Sequence, residues 1–249
     1  GRNETIRIVT RNGVIVKSHP NVDSKFLHKV EEYNPDKIFV VDLANIEQEF
    51  IDDAKRGIIW IDHHEPKKRN KVIYLNPRQD DPSYGPAASR ICYEIVKENL
   101  WIAMVGTVGD WQLPKELSKE FRNKYPDLLP EKIDTPEKAL FETKVGKLAK
   151  IFNFCLKGKT QDAMKCVKIL SRIESPYELL EGNTSQAKYI HKKIKKTEEE
   201  YDKLLQEIED KQKKNDSNMI VYTYTSRSNS ITGEVSNELL YKYPKKIII

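Results

Sequence analysis

Two apolar runs that each end on an aspartate constrain the fold of this chain more than any other feature. Residues 37–42 have the sequence Lys-Ile-Phe-Val-Val-Asp, and residues 58–62 have the sequence Ile-Ile-Trp-Ile-Asp. Continuous apolar runs of this length are typical of parallel strands covered on both faces. The segment between them, 45–55, has the pattern of a helix closed by Gly57. This order predicts an α/β fold with a parallel sheet, with Asp42 and Asp62 at the edge where such sheets bind ligands.

The remainder of the chain is mostly helical in its pattern. We predict a third strand at 72–75, a helix that Pro86 opens and a short apolar helix at 101–108. From 113 to about 180 we predict helices separated by prolines that form a layer flanking the sheet. Apolar side chains recur at alternating spacings of four and three within 186–214, which predicts one long amphipathic helix. Such a stripe fits a connector packed along one side, or a helix that pairs with a partner. The stripe consists of Ile190, Ile194, Thr197, Tyr201, Leu204 and Ile208.

These elements divide the chain into three predicted parts. We expect a catalytic domain at 1–182, with its helical layer at 112–182, a connector helix at 183–215, and the beginning of a second α/β domain at 216–249. The last part has a strand, a helix and another strand, which are too few to bury a core alone. We therefore expect a longer parent protein or a neighbouring chain to complete this truncated domain.

Composition excludes some classes of protein and leaves others open. No apolar stretch approaches the roughly 18 residues that a membrane helix needs, and the N-terminus has no signal-peptide pattern. We therefore expect a cytoplasmic protein without a membrane partner. The three cysteines lack metal-binding spacing and are expected to be buried thiols. A net charge of +5, from 43 basic and 38 acidic residues, is compatible with a polyanionic partner and does not require one.

Five residues with ligand or acid-base chemistry follow apolar segments: Asp42, Asp62, His63, His64 and Asp110. Each could be a helix cap or a polar loop residue, but the repeated placement after an apolar run favours one shared site. Carboxylate and imidazole ligands suit Mn²⁺ or Mg²⁺ better than zinc bound by thiolates. Two such ions about 3.5–4 Å apart can activate water and hold the oxygens of a phosphoryl centre. The group therefore predicts hydrolysis of a phosphate ester.

Three motifs are similar to those of a known family. The segments Val-Val-Asp42-Leu-Ala, Ile-Asp62-His-His-Glu-Pro and Gly106-Thr-Val-Gly-Asp110 resemble the second, third and fourth motifs of the DHH phosphoesterases. Asn76-Pro-Arg and residues 84–88, Tyr-Gly-Pro-Ala-Ala, are similar to the stretch that follows the triplet in archaeal RecJ-like members. The resemblance covers about residues 20–110. The long helix and residues 233–237 look like the connector and the start of the family's DHHA1-like domain.

The resemblance implies a role for each residue of the site. Asp42 would bridge two metal ions, normally Mn²⁺ with Mg²⁺ as a possible substitute, and His63 and Asp110 would both bind the same one of these ions. His64 would contact the scissile phosphate, and Asp62 would orient the histidines, so that residues 62–64 form the catalytic group. Arg78 is a candidate for gripping phosphate oxygens, although a surface arginine would look the same in sequence.

The first motif of the family, an aspartate-rich element well upstream of Asp42, is not recognisable. Residues 18–23 resemble it superficially and make His19 and Asp23 candidate ligands, but only 18 residues separate Asp23 from Asp42. That spacing is too short for the usual helix and strand. We therefore expect the first motif to precede Gly1, in which case the chain alone lacks a complete site.

These observations favour a metal-dependent exonuclease that hydrolyses single-stranded DNA or RNA in replication or repair, with a replisome protein as a further partner. One alternative is an oligoribonuclease or small phosphoester hydrolase of the same superfamily. Another is a replisome scaffold without activity, but such a relative would be expected to lose ligands that this chain retains. Cleavage polarity and the choice between DNA and RNA stay open.

Overall fold

The computed structural model describes residues 13–16, 21–212, 217–225 and 230–249. The chain forms two compact units, Gly1–Gly85 and Pro86–Ile249. This spatial division differs from the predicted boundaries at 182 and 215, which remain a prediction about family domains. Within the described part of the chain, no helix combines the length and the apolar character needed to cross a bilayer.

The first unit is built on short parallel strands. Its elements are β1 (Asn21–Val22), a 3-10 helix (Ser24–Phe26), α1 (Leu27–Tyr33), β2 (Lys37–Val41), β3 (Asn45–Ile46), α2 (Gln48–Ala54), β4 (Gly57–Ile61), β5 (Ile73–Leu75) and a second 3-10 helix (Pro77–Gln79). The main sheet has the order β2-β4-β5, and β1 pairs with β3 in a separate two-stranded sheet. All of these pairs are parallel, which confirms the predicted α/β fold.

The β2-β4 pair sets the register of the sheet. Val41 lies opposite Ile61, and Ile61 lies opposite Leu75, so the three strands end at the same level. The interior strand β4 buries Ile58 and Trp60 in the core of this unit. Full coverage was predicted for β2 as well, but Val41 is 43% exposed; among the described residues, β2 pairs with β4 alone.

The predicted helix at 45–55 begins later than expected. Residues Asn45 and Ile46 pair with β1, and α2 starts at Gln48. Arg69 explains the difference, since its guanidinium donates to the carbonyl of Ile46 at 2.5 Å and to the side chain of Asn45 at 2.8 Å. These long-range contacts hold the two residues in extended backbone and outweigh the local preference for helix.

The second unit is mainly helical. It contains α3 (Ala88–Val96), α4 (Leu100–Gly109), α5 (Lys115–Lys124), α6 (Pro136–Glu142), α7 (Lys144–Cys155), α8 (Thr160–Leu170), α9 (Pro176–Glu181), α10 (Ser185–Gln212), β6 (Met219–Ile220), α11 (Thr232–Lys242) and β7 (Ile247–Ile248). Helix α4 is buried along most of its length, as its uniformly apolar sequence requires. Cys155 and Cys166 are buried free thiols, and Cys92 is half-buried.

Helix α10 is the predicted long amphipathic helix. All six residues of the predicted stripe are buried on it, which confirms the alternating spacing as the signal for its packed face. The strand, helix and strand predicted after it are present as β6, α11 and β7, and the two strands pair in parallel. Each of these strands has only two residues, shorter than the sequence pattern suggested.

Candidate metal centre at the carboxyl edge of the sheet

The sheet ladder extends one residue beyond β2 and β4 and thereby positions both aspartates. The amide of Asp42 donates to the carbonyl of Ile61 at 2.9 Å, and the amide of Asp62 donates to the carbonyl of Leu75 at 3.1 Å. Because the backbone of each aspartate is fixed by its neighbouring strand, both residues emerge at the carboxyl edge. The prediction that they share this edge is confirmed.

Asp42 turns the chain sharply away from the sheet. Its φ is +58°, a left-handed conformation that aspartate tolerates better than most residues. The next residue, Leu43, is held by its carbonyl, which accepts a hydrogen bond from the buried indole of Trp60 at 2.8 Å. The turn leaves the Asp42 side chain 60% exposed, so its carboxylate is accessible to an ion or a substrate.

Asp42, His63 and His64 form a cluster that could hold a metal ion. Each residue offers one ligand atom, and these atoms all lie within 4.8 Å of one another. His63 Nε2 is 3.3 Å from Asp42 Oδ1, and this contact lowers the pKa of the Asp42 carboxyl below its ordinary value despite the opposing effect of burial. Two atoms that share an ion at about 2.0–2.2 Å are at most about 4.4 Å apart. The cluster therefore fits a divalent cation after a side-chain adjustment of a few tenths of an ångström.

The buried carboxylate of Asp62 orients His64. Asp62 Oδ1 accepts from His64 Nδ1 at 2.7 Å, and Asp62 Oδ2 accepts from the amide of His64 at 3.2 Å. The Asp62 side chain is 0% exposed, whereas that of His64 is 44% exposed. Because a carboxylate only accepts hydrogen bonds, the proton of a neutral His64 ring is on Nδ1 and the lone pair is on Nε2. Asp62 therefore has the geometry of the carboxylate partners that orient metal-binding imidazoles.

An aromatic pair and an asparagine support this arrangement. Tyr74 stacks on Trp60 with a centroid distance of 3.9 Å and an interplanar angle of 9°. Asn76 donates from Nδ2 to the carbonyl of His64 at 2.9 Å and to the Tyr74 hydroxyl at 2.8 Å. Burial raises the pKa of Tyr74, with the nearby Asp62 carboxylate adding to the effect. Trp60 and Tyr74 were not predicted to belong to the site, and Asn76 was named only within the motif that resembles RecJ-like members.

Arg78 lies beside the histidine segment. Its amide donates to Asn76 Oδ1 at 3.0 Å, and its Nε donates to the carbonyl of Pro82 at 3.1 Å. Gly85 packs between Arg78 and His63, since a Cβ at that position would be 3.1 Å from Arg78 Cδ and 3.4 Å from the carbonyl oxygen of His63. This places the arginine at the rim of the cluster, and its contact with phosphate remains a prediction.

The other predicted ligands are placed differently. Asp110 belongs to the second unit, where it follows α4 and its amide donates to the carbonyl of Gly106 at 3.0 Å; its metal-binding role remains a prediction. The carboxylate of Asp23 accepts from the amide of Lys25 at 3.0 Å and caps the first 3-10 helix. His19 lies outside the described residues. The structure also brings His64, predicted to contact phosphate, into the same cluster as the predicted metal ligands.

Comparison with known proteins identifies the family. Residues 6–127 match the sequence model of the DHH family, N-terminal domain. The chain contains a DHH-family N-terminal domain. The DHH match includes the whole candidate metal centre and continues through α5, so the sheet edge and Asp110 both lie within it. No curated protein sequence matches the chain.

One solved structure similar to this DHH chain is described as exonuclease RecJ bound to manganese. The two chains are 16% identical and superpose with a TM-score of 0.46 over 92% of this chain. The similar region spans 64% of the length of that RecJ structure.

Proposed function

We propose that this protein is a divalent-metal-dependent phosphodiesterase, a RecJ-like exonuclease that hydrolyses single-stranded DNA or RNA in replication or repair. The observation that carries this proposal is the convergence of Asp42, His63 and His64 within 4.8 Å at the carboxyl edge of a parallel sheet. Membership of the DHH family makes phosphoester hydrolysis the reaction class. A replisome protein is the partner class that a role in replication would require.

The residues of the cluster have separate roles in the proposed reaction. Asp42 and His63 would hold the metal, Asp110 is a further ligand that the family resemblance implies, and Mn²⁺ is the proposed ion. Bound divalent ions supply positive charge for the developing phosphoryl oxyanion and lower the pKa of a coordinated water. Asp62 fixes the tautomer of His64 through the 2.7 Å contact with Nδ1. His64 Nε2 would then be the ring nitrogen left to contact the phosphate or the ion.

The substrate would be bound by cations beside the cluster. Arg78 donates from Nε to the Pro82 carbonyl. In our proposal the two terminal nitrogens of its guanidinium donate to phosphate oxygens. Lys67 and Lys68 follow His64 closely in the chain and are exposed. Lysines near a phosphodiester backbone add affinity that falls as salt concentration rises. We therefore expect substrate binding by this protein to be salt-dependent.

The test is a nuclease assay on the full-length protein with end-labelled single-stranded DNA and RNA, in Mn²⁺ or in EDTA. His63→Ala should abolish cleavage, because it removes the ligand nearest to Asp42. The matched control is His28→Ala, since His28 lies on α1 with an exposed contact to the carbonyl of Lys25 and is outside the cluster. Cleavage that persists in EDTA, or full activity in the His63 variant, would contradict the proposal.

A series of substrates from dinucleotides to strands of about 30 nucleotides separates the proposed exonuclease from its enzymatic alternative. An exonuclease should shorten long strands progressively, whereas an oligoribonuclease should prefer the shortest substrates. Absence of hydrolysis with every substrate, in a protein that still binds Mn²⁺, would favour the replisome scaffold. In each case the measured quantity is kcat/KM as a function of strand length.

A further inference from the structure

The second unit contains a cavity of about 200 Å³ whose wall includes Trp111, Phe141, Asn153, Glu234 and Asn237. We propose that this cavity binds a single nucleobase by stacking and by hydrogen bonds to side-chain amides. The choice of a nucleobase over other planar heterocycles rests on the proposed function. The cavity is lined by residues of α6, α7, α10 and α11, by the last residue of α4 and by Trp111.

The aromatic side chains of the cavity wall are held in place by contacts with further rings. Trp111 meets Phe141 edge to face, with ring centroids 5.7 Å apart and an interplanar angle of 69°. Phe141 in turn stacks on Tyr241 at 4.9 Å, and the Tyr241 hydroxyl donates to the carboxylate of Glu142. A platform fixed in this way loses little side-chain entropy when a base stacks on it.

Trp111 has a backbone conformation that a bulky residue rarely adopts. Its φ is +57°, and its amide donates to the carbonyl of Val108 at 3.0 Å in the turn that ends α4. Positive φ at a large side chain costs free energy and concentrates at functional sites. The turn leaves Trp111 37% exposed, a costly placement for a tryptophan that serves only the core. Its accessible surface at the cavity is therefore available for a ligand.

The polar groups of the cavity favour a neutral ring over a phosphate. The ammonium of Lys150 is paired with Glu238 at 3.1 Å, and the carboxylate of Glu234 is paired with Lys157 at 2.5 Å. Neither charge is therefore available in full to a ligand, and Glu234 would repel an anion.

The amides of Asn153 and Asn237 supply the directional contacts. Both residues line the cavity, Asn153 as an exposed residue and Asn237 as a half-buried one. Each carries both donors and an acceptor, the groups that read the edge of a base. The volume is also smaller than the roughly 300–1,000 Å³ of sites for drug-sized ligands. It therefore suits one base and excludes a whole dinucleotide.

The site can be tested by fluorescence without any catalysis. Trp60 and Trp101 are buried at 0% and 1% exposure, so quenching of the exposed Trp111 reports on the cavity. The full-length protein is titrated in EDTA with nucleosides, with nucleoside monophosphates and with inorganic phosphate. We expect nucleosides to quench Trp111 and inorganic phosphate to have no effect. Quenching by phosphate alone, or by none of the three probes, would overturn the proposal.

Variants locate the binding by equilibrium dialysis with a radiolabelled nucleoside. Trp111→Ala should weaken binding about 5- to 150-fold, the range for loss of one base-aromatic stack, while Trp111→Phe should retain a stacking ring and most of the affinity. Gly233→Leu adds a bulky side chain to the cavity wall at a position where the new Cβ meets nothing within 4 Å, and it should weaken binding. Leu240→Ala, on the exposed side of the same helix, is the matched control.

Two results would count against the site in this cavity. Wild-type affinity in Gly233→Leu would place nucleoside binding elsewhere, and equal weakening in Leu240→Ala would mean that the change in α11 acts through folding rather than the cavity. The titration contains neither metal nor phosphodiester. Loss of nuclease activity would therefore refute the proposed function and leave the base site intact, whereas absent nucleoside binding in an active nuclease would refute the base site alone.

Discussion

Asp62→Asn provides the most direct test of the proposed metal centre. Asparagine has the same shape as aspartate, but it replaces one acceptor oxygen with a donor NH₂ group. In the native site both oxygens of Asp62 accept from His64, one from Nδ1 at 2.7 Å and one from the amide at 3.2 Å. In the variant, the NH₂ group of the asparagine must therefore face either the amide or Nδ1 of His64, both of which are donors. Only a change of the His64 tautomer would turn Nδ1 into an acceptor.

Both outcomes weaken the site, and the structure sets the magnitude. Because Asp62 is fully buried, water cannot replace the lost contact, and loss of a hydrogen bond to a charged group costs about 1.5–3 kcal/mol in free energy of unfolding. If the tautomer changes instead, the proton moves to His64 Nε2 and blocks the atom proposed to face the ion. Loss of such an orienting partner lowers metal affinity about 10- to 100-fold in known sites.

The assay is isothermal titration of Mn²⁺ into the variant, together with urea unfolding of the metal-free protein. The matched control is Asp52→Asn in the same unit, where the exposed carboxylate contacts Lys71 at 2.8 Å; it should leave Mn²⁺ affinity unchanged. Mn²⁺ affinity in Asp62→Asn within twofold of wild type would refute the reasoning that His64 acts in the cluster through Asp62. A stable fold with reduced affinity would support it.

Three further predictions concern the stability of variants in the two units. Trp60→Phe removes the indole hydrogen bond to the Leu43 carbonyl and should lower the free energy of unfolding by about 1–3 kcal/mol, measured in urea, with a parallel loss of Mn²⁺ affinity. Burial raises the pKa of the Glu238 carboxyl, but its hydrogen bonds and the neighbouring lysines outweigh burial and lower this pKa below 4.5. The ionised carboxylate therefore stabilises the fold above pH 4.5, and this stabilisation is lost as the pH falls through the pKa of the folded state. Glu238→Gln should therefore flatten the acid dependence of unfolding; an unchanged slope below pH 4.5 would contradict this. In Gly146→Ala the new Cβ would overlap the Leu140 carbonyl. This substitution should lower the free energy of unfolding by about 1–3 kcal/mol or more, measured as a lower urea midpoint.

The sheet and its edge were predictable because their signals are local. An apolar run followed by an aspartate is contained in five or six residues, and β2 and β4 end within one residue of the predicted positions. The same holds for α10, whose buried stripe follows from spacing along one helix. Elements that depend on distant partners were missed. Arg69 donates to the Ile46 carbonyl from 23 positions away in the sequence, and no pattern near Asn45 predicts this contact.

The candidate site was predictable in composition and less so in arrangement. Asp42 and His63 were expected to meet at the sheet edge, and they do so at 3.3 Å. The entry of His64 into the cluster depends on the rotamer fixed by Asp62, which no spacing along the chain encodes. The environment of Trp111 could not be predicted either. Its left-handed backbone conformation is imposed by the surrounding packing and not by the preference of tryptophan itself.

The two aspartates of the sheet edge show why identical patterns lead to different chemistry. Asp42 and Asp62 each follow an apolar strand, yet the first side chain is 60% exposed and the second is fully buried. The difference accompanies strand order in the described part of the chain, where β2 pairs with β4 alone and β4 lies between β2 and β5. An exposed carboxylate can exchange its histidine contact for an ion at little cost, while a buried one must keep every hydrogen bond. Strand position therefore makes Asp42 suitable as a ligand and Asp62 suitable as the residue that orients one.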